Sequence, residues 1–229
     1  YDYGKEGFDE TKRVITQNGL LAVGDKDSIG YKRFGDTMVA FVGATSYYWS
    51  PSLIEIDSLI AQIHEARENA DIIIVVFHGG GEGRDFTHTP NETEWYMGEN
   101  RGDLRMMARR SIDEGADLIL GSGPHVLRGM EVYKQRLIAY SLGNFAFSGT
   151  KTISQKDILG ISAILNVELL KNGEFDSGTL VPIQITSQGM PMLDPEKTAL
   201  KMVQTLSQED FTYTGVHIDE NGGIFIPAN

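Results

Sequence analysis

Two histidines, each in a glycine-rich loop, are the residues best placed to do chemistry. His78 is followed by three glycines, and His125 follows a Gly-Ser-Gly-Pro run. A neutral imidazole held in a cleft is a common metal ligand, and the acids near these loops that could act as further ligands are Glu82, Asp85, Glu99 and Asp103. The alternative for each histidine is a structural role, packed under its own loop or bonded to the backbone.

Several arginines flank these loops in an otherwise acidic chain. The candidates for holding an anionic group are Arg84, Arg101, Arg105 and Arg128, because a guanidinium binds carboxylate or phosphate bidentately. Pairing with nearby acids is the competing interpretation for any one of them. A serine nucleophile has little support, since Gly121-Ser122-Gly123 is too short for a Gly-x-Ser-x-Gly elbow.

Hydrophobic patterns predict the elements that carry the two histidine loops. Residues 70–77 and 116–120 are largely apolar runs of strand length, each preceded by a helical pattern and followed by one of the loops. Helix and strand units of this kind build parallel sheets, whose ligands bind beyond the carboxyl ends of the strands. His78 and His125 are therefore expected at one rim of a sheet.

The remaining patterns complete a mixed α/β prediction. We expect helices over residues 8–18, from Ser52 to about Ala70, after a cap at Asp103, and over 196–207. We expect strands at 20–24 and 37–43, hairpins within 130–140 and 161–185, and an edge strand at 224–226. Because no composition shift marks a boundary, a single domain over residues 1–229 is predicted.

Composition excludes several classes of function. The 229 residues carry 20 Lys+Arg against 32 Asp+Glu, a net charge of −12, which disfavours nucleic acid and anionic membranes as partners. Zero cysteines exclude disulfides, thiolate zinc sites and a cysteine nucleophile. No run approaches the roughly 18 apolar residues of a membrane-spanning helix, and the first residues lack the apolar core of a signal peptide.

Five segments resemble, in the same order, the capsule-synthesis CapA family, also called the poly-γ-glutamate synthesis accessory (PGA_cap) proteins. The most specific are Gly-Pro-His-Val-Leu at 123–127 and the stretch 133–145, which ends in Ser-Leu-Gly-Asn-Phe. The others are residues 1–7, 77–82 and 113–121. The resemblance extends over roughly residues 1–148.

The resemblance implies a layered α/β/β/α sandwich with mixed sheets, of the calcineurin-like metallophosphoesterase type. Family members carry N-terminal strands before the segment that matches residues 1–7, so we expect those strands to be absent from this chain. They also commonly carry a second histidine shortly after the glycine matching Gly121, where this chain has Ser122 and Gly123.

The resemblance also implies a divalent metal, Mn, Zn or Fe. The expected ligands are His78, His125 and Glu82, which are too few to hold two metals alone. His78, His125 and Arg128 are expected to be catalytic. The residues expected to bind substrate are Arg84, Arg101, Ser122 and Asn144.

The function implied is assistance in capsule or poly-γ-glutamate synthesis or export at the cell surface, outside the cytoplasm. The expected partners are an anionic polymer or small anionic substrate and a membrane-bound synthase complex. Metal-assisted hydrolysis is one interpretation, and a non-catalytic scaffold or polymer-binding module that has lost the metal is another. A soluble phosphoesterase unrelated to capsule is the third.

Overall fold

The structure is a computed structural model that describes residues 3–146 and 157–226. Residues 1 and 2 of the first family-like segment lie outside this range. The helices are α1 (Gly4–Gln17), α2 (Asp57–Asn69), α3 (Leu104–Asp113) and α4 (Thr198–Asp210), with a 3-10 turn at Ile158–Gly160. The strands are β1 (Gly30–Phe34), β2 (Thr37–Thr45), β3 (Ile72–His78), β4 (Glu94–Tyr96), β5 (Glu99–Gly102), β6 (Leu118–Ser122), β7 (Met130–Tyr133), β8 (Arg136–Ala139), β9 (Ile161–Leu169), β10 (Phe175–Ile185), β11 (Pro191–Leu193), β12 (His217–Ile218) and β13 (Gly223–Phe225).

The first sheet is mixed and has the strand order β1-β2-β3-β6-β8-β7. Its centre is parallel, because β2, β3, β6 and β8 run in the same direction, while the outer pairs β1–β2 and β7–β8 are antiparallel. The strands predicted at 70–77 and 116–120 are the central strands β3 and β6, and both lie on the parallel part of the sheet. This arrangement brings the loops that follow them to the same rim.

Successive side chains of the central strands point to opposite faces of the sheet. They therefore pack into two separate cores. Ile73, Val75 and Ile119 pack with the apolar faces of α2 and α3 on one side of the sheet. Leu118 and Leu137 point the other way, into a core shared with β9, β10 and α4. Helix, first sheet and second sheet therefore form successive layers, and the mixed α/β prediction is confirmed.

The second sheet is antiparallel, with β10 paired to β9, β11 and β13 and with β12 at one end. The predicted hairpin within 161–185 is confirmed as the β9–β10 pair, which turns at Gly173 with φ of 81°. The prediction of an edge strand at 224–226 was wrong in its position. β13 lies between β10 and β12, so its backbone is paired on both sides.

Two further predictions were wrong in detail. Residues 20–24 form no strand, and instead Leu21 and Val23 pack their side chains against Gly30. Ser52 does not cap α2, which begins at Asp57, because the Ser52 hydroxyl accepts from the amides of Ile54 and Glu55 and closes a turn before the helix. Asp103 does cap α3, accepting from the Met106 amide at 2.9 Å.

Within the described residues, none of the helices has both the length and the apolar character needed to cross a bilayer.

Candidate functional site

The carboxyl ends of three parallel strands form the rim that carries the histidines. Thr45 of β2 is level with His78 of β3, and His78 is level with Ser122 of β6. The loops after these strands therefore start side by side. We call the surface formed by His78, Glu82, Ser122 and His125 the histidine rim.

Glycines let the two histidine loops approach each other closely. The Gly79 amide donates to the Ser122 carbonyl at 3.0 Å. Gly123 has a φ of 125°, and a Cβ atom there would lie 2.3 Å from the Gly79 carbonyl oxygen. A side chain at 123 would force the loops apart, so the glycine is needed to keep His78 and His125 on one surface.

Asn144 fixes the orientation and tautomer of His125. The Asn144 Nδ2 donates to the carbonyls of His125 at 3.0 Å and Leu159 at 3.1 Å, which leaves Oδ1 to accept from His125 Nδ1 at 2.6 Å. The hydrogen-bond network thus assigns the proton of the neutral ring to Nδ1. Nε2 keeps its lone pair, on a side chain that is 44% exposed.

His125 is held in an unusual backbone conformation, with a φ of 62°. This left-handed conformation is uncommon for a residue with a side chain and costs of order 1 kcal/mol. The two bonds between Asn144 and His125 compensate for it locally. Asn144, predicted to bind substrate, is itself buried with both ends of its amide bonded inside the protein, so the structure gives it a positioning role.

His78 is half-buried at the end of β3. Burial is the main reason that its pKa is lowered, and the positive charge of Arg101 lowers it further while Glu82 opposes this effect. The ring is therefore neutral at neutral pH. Its Nδ1 lies 3.4 Å from the Ser122 hydroxyl, which donates to the Phe77 carbonyl at 3.0 Å.

Arg101 and Glu82 form an ion pair beneath the rim. The Arg101 side chain is 3% exposed, it bonds to Glu82, and its Nη1 lies 3.6 Å from Glu99. The rings of Tyr47 and Tyr96 lie against the guanidinium, 5.5 and 5.9 Å from its Cζ. Arg101 therefore neutralises Glu82 from inside the protein and presents little surface to an external anion.

Two more of the predicted anion-binding arginines are also paired with acids. Arg128 is fully buried and forms two bonds to Glu94, of 2.8 and 2.6 Å, so its place is structural. Arg84 is exposed and bonds to Asp157, with 3.1 Å between Nε and Oδ1. Nothing in the sequence pattern singled out Glu94 or Asp157 as the partners.

The donor set of the rim does not make a complete metal site. His125 Nε2 lies 3.8 Å from a Glu82 carboxylate oxygen, but Glu82 is already bound to Arg101. Over residues 3–146 and 157–226, no three His, Asp or Glu side chains converge as ligands. The residues described here therefore do not fit a divalent metal on their own, because zinc and its relatives need three or four protein ligands.

Comparisons with known proteins place these loops in a family. Residues 1–149 match the family model described as bacterial capsule synthesis protein PGA_cap. The PGA biosynthesis protein CapA of Bacillus subtilis (strain 168) is 32% identical over 189 residues, which cover 75% of this chain and 45% of that protein. The capsule biosynthesis protein CapA of Bacillus anthracis is 31% identical over 192 residues, covering 75% and 42%.

The chain thus spans less than half the length of these curated relatives. A solved structure, that of a candidate 5′-nucleotidase from Staphylococcus aureus in complex with alpha-ketoglutarate, is 19% identical, with a TM-score of 0.41 over 79% of this chain and 33% of that one. The family match contains both histidine loops and the Asn144 segment. This chain belongs to the bacterial capsule synthesis protein PGA_cap family.

Proposed function

We propose that this chain assists the synthesis or export of a γ-linked glutamate polymer at the bacterial cell surface. Family membership and the names of the Bacillus relatives support this role. The polymer and a membrane-bound synthase complex are the partners we propose. The histidine rim is the surface through which the chain contacts the polymer.

The observation that carries this proposal is the fixed His125 ring beside a neutral His78. A γ-linked glutamate chain is a polyamide, and its amide N–H groups need acceptors such as the lone pair on His125 Nε2. Its carbonyl groups need neutral donors, which an uncharged imidazole supplies. The ion pair between Arg101 and Glu82 removes the negative charge that would otherwise repel the polymer at this point.

Metal-dependent hydrolysis is the second candidate, and the His125 tautomer favours it. A histidine whose Nδ1 is hydrogen-bonded and whose Nε2 is open is prepared as a ligand. The incomplete donor set and the engagement of Glu82 by Arg101 favour polymer binding without hydrolysis. We therefore give precedence to the binding role.

Gene deletion with complementation tests the proposed role. The gene encoding this chain is deleted in its natural host, and cell-associated γ-linked glutamate is measured after acid hydrolysis. We expect the polymer to fall on deletion, to return with the natural gene and with His64→Ala, and to remain low with His125→Ala. His64 is a suitable control because it lies exposed on α2, bonded to Glu114. Polymer levels that do not change on deletion would refute the role.

Metal titration separates binding from hydrolysis. The purified chain and its His78→Ala and His125→Ala variants are titrated with Mn²⁺, Zn²⁺ and Fe²⁺, and then assayed against phosphoesters and γ-linked glutamate oligomers. We expect binding of the glutamate oligomers without turnover. Stoichiometric metal binding that both variants abolish, together with turnover, would establish the hydrolase instead.

A further inference from the structure

We propose that a cavity next to the histidine rim binds a neutral, hydroxyl-rich ligand, that is, a saccharide. The cavity has a volume of about 710 Å³ and lies against the loop that follows β2. Its wall includes Lys26, Ser46, Tyr47, Tyr48, Ser50 and Asp57. We call it the β2-loop cavity. The inference goes beyond the proposed function, because it concerns a different site and a different class of ligand.

Unsatisfied polar atoms in the wall of the cavity point to a ligand. The hydroxyls of Ser46 and Ser50 are buried and have no hydrogen-bond partner among the described residues, and Ser50 is only 1% exposed. A buried hydroxyl without a partner costs about 1–3 kcal/mol. Both residues line the β2-loop cavity, and once their side chains turn about the Cα–Cβ bond toward it, a bound ligand with hydroxyl groups can supply the missing bonds.

A group of aromatic side chains stands at the same place. Tyr47 stacks on Trp49 with 4.7 Å between ring centroids and 8° between planes. Tyr48 meets the edge of Trp49 at 5.2 Å and is 70% exposed. The exposed ring of Tyr48 offers a flat apolar face, onto which the C–H face of a sugar ring can pack while its hydroxyls turn to polar neighbours.

The charges around the cavity select against an anionic polymer. Lys26 is accompanied by three carboxylates, Asp27, Glu55 and Asp57. Three negative charges against one positive charge disfavour a polyanion, since like charges in a shared cleft repel. Carboxylates are, however, good acceptors for hydroxyl groups. The combination of carboxylates, unpartnered hydroxyls and aromatic rings therefore fits a neutral ligand with many hydroxyls.

The β2-loop cavity adjoins the histidine rim through Tyr47. Tyr47 lines the cavity, and its ring centroid lies 5.5 Å from the Arg101 Cζ. Arg101 in turn holds Glu82. Tyr47 and the buried Arg101 thus connect the cavity to the rim.

Tryptophan fluorescence provides a direct test. The chain contains two tryptophans, so Trp95→Phe leaves Trp49, which is part of the aromatic group, as the single reporter. This variant is titrated with the neutral oligosaccharides maltotetraose and tetra-N-acetylchitotetraose, with tri-γ-glutamate as the anionic probe and spermidine as the cationic probe. We expect saturable binding of a neutral oligosaccharide and weaker responses to both charged probes.

Variants at Tyr48 test whether the oligosaccharide binds in the β2-loop cavity. In the Trp95→Phe background, we expect Tyr48→Ala to weaken oligosaccharide binding about tenfold, the loss of one stacking contact, and Tyr48→Phe to retain it. Tyr213→Ala, which removes another exposed tyrosine outside the cavity, is the matched control. His125→Ala should leave this binding unchanged, which separates the test from that of the histidine rim. The proposal is overturned if neither oligosaccharide binds, if a charged probe binds more tightly, or if Tyr48→Ala has no effect.

Discussion

Asn144 determines which ring nitrogen of His125 carries the proton, and it does so without having to touch a ligand. Asn144 can accept from His125 Nδ1 because its amide nitrogen is committed to two carbonyls. A single amide therefore decides which ring nitrogen faces outward.

We predict that Asn144→Ala allows the neutral His125 ring to adopt both tautomers. Nitrogen NMR of the natural chain should show His125 protonated at Nδ1, and the variant should show a substantial Nε2-protonated population. Removing this buried, bonded amide should also lower the free energy of unfolding by about 1–3 kcal/mol. Asn69→Ala on the exposed face of α2 is the control, and an unchanged His125 signal in Asn144→Ala would contradict the assignment.

His78 makes the stability of the chain depend on pH. Because its pKa is lowered in the folded state, mainly by burial, the unfolded chain binds more protons below the ordinary value of about 6.5. We predict that the free energy of unfolding decreases as pH falls below that value, with a contribution of at most about 1.4 kcal/mol per pH unit from this group.

Urea unfolding between pH 5 and pH 8 measures this dependence. His78→Gln should flatten the slope on the acid side, whereas Asn69→Ala, which removes an exposed and non-ionisable side chain on α2, should leave it as it is. An equal slope for His78→Gln and the natural chain would show that other groups cause the effect.

At the scale of elements, a buried ion pair anchors the glycine loop after β3. Arg128 bonds to both oxygens of Glu94 in β4 and to the Phe86 carbonyl at 2.9 Å. Glu94 also accepts from the Gly81 amide at 2.9 Å. The pair therefore ties β4 to the loop that carries Glu82.

We predict that Arg128→Met destabilises the chain by about 3–5 kcal/mol, because it leaves the Glu94 carboxylate buried without its cation. The double variant Arg128→Met/Glu94→Met should recover most of this loss. Arg110→Met, which breaks an exposed pair with Glu114 on α3, should cost less than about 1 kcal/mol. Denaturant unfolding measures all three, and a double variant no more stable than Arg128→Met would argue against charge burial as the cause.

At the scale of the whole molecule, the net charge of −12 opposes the approach of an anionic polymer. The Debye length falls from about 30 Å at 0.01 M salt to about 8 Å at 0.15 M. Added salt screens this repulsion over most of the surface, while the bonds at the histidine rim act at short range.

We predict that association of γ-linked glutamate oligomers with the chain becomes faster as salt rises from 0.01 to 0.15 M, by up to about tenfold. Stopped-flow measurement of the association rate provides the test. A basic protein that binds polyanions by counterion release behaves in the opposite way. Binding that weakens steadily with salt would mean that a local cationic surface dominates.

The sequence by itself determined the order of the elements around the site. Apolar runs at 70–77 and 116–120 predicted β3 and β6, and the loops after them placed His78 and His125 at one rim. These features are local, since hydrophobic alternation and glycine spacing are set by neighbouring residues. The segment 20–24 was mispredicted for the same reason, because alternation alone does not supply a strand to pair with.

Only the tertiary structure determined which acidic partner each arginine binds. Arg101 meets Glu82 across 19 positions, Arg128 meets Glu94 across 34, and Arg84 meets Asp157 across 73. No spacing rule links such residues, so each pair depends on which loops pack together. The same packing engages Glu82, leaves the Ser50 hydroxyl without a partner among residues 3–146 and 157–226, and forms the β2-loop cavity. Burial and the neighbouring charges that packing brings together control what each of these groups can bind.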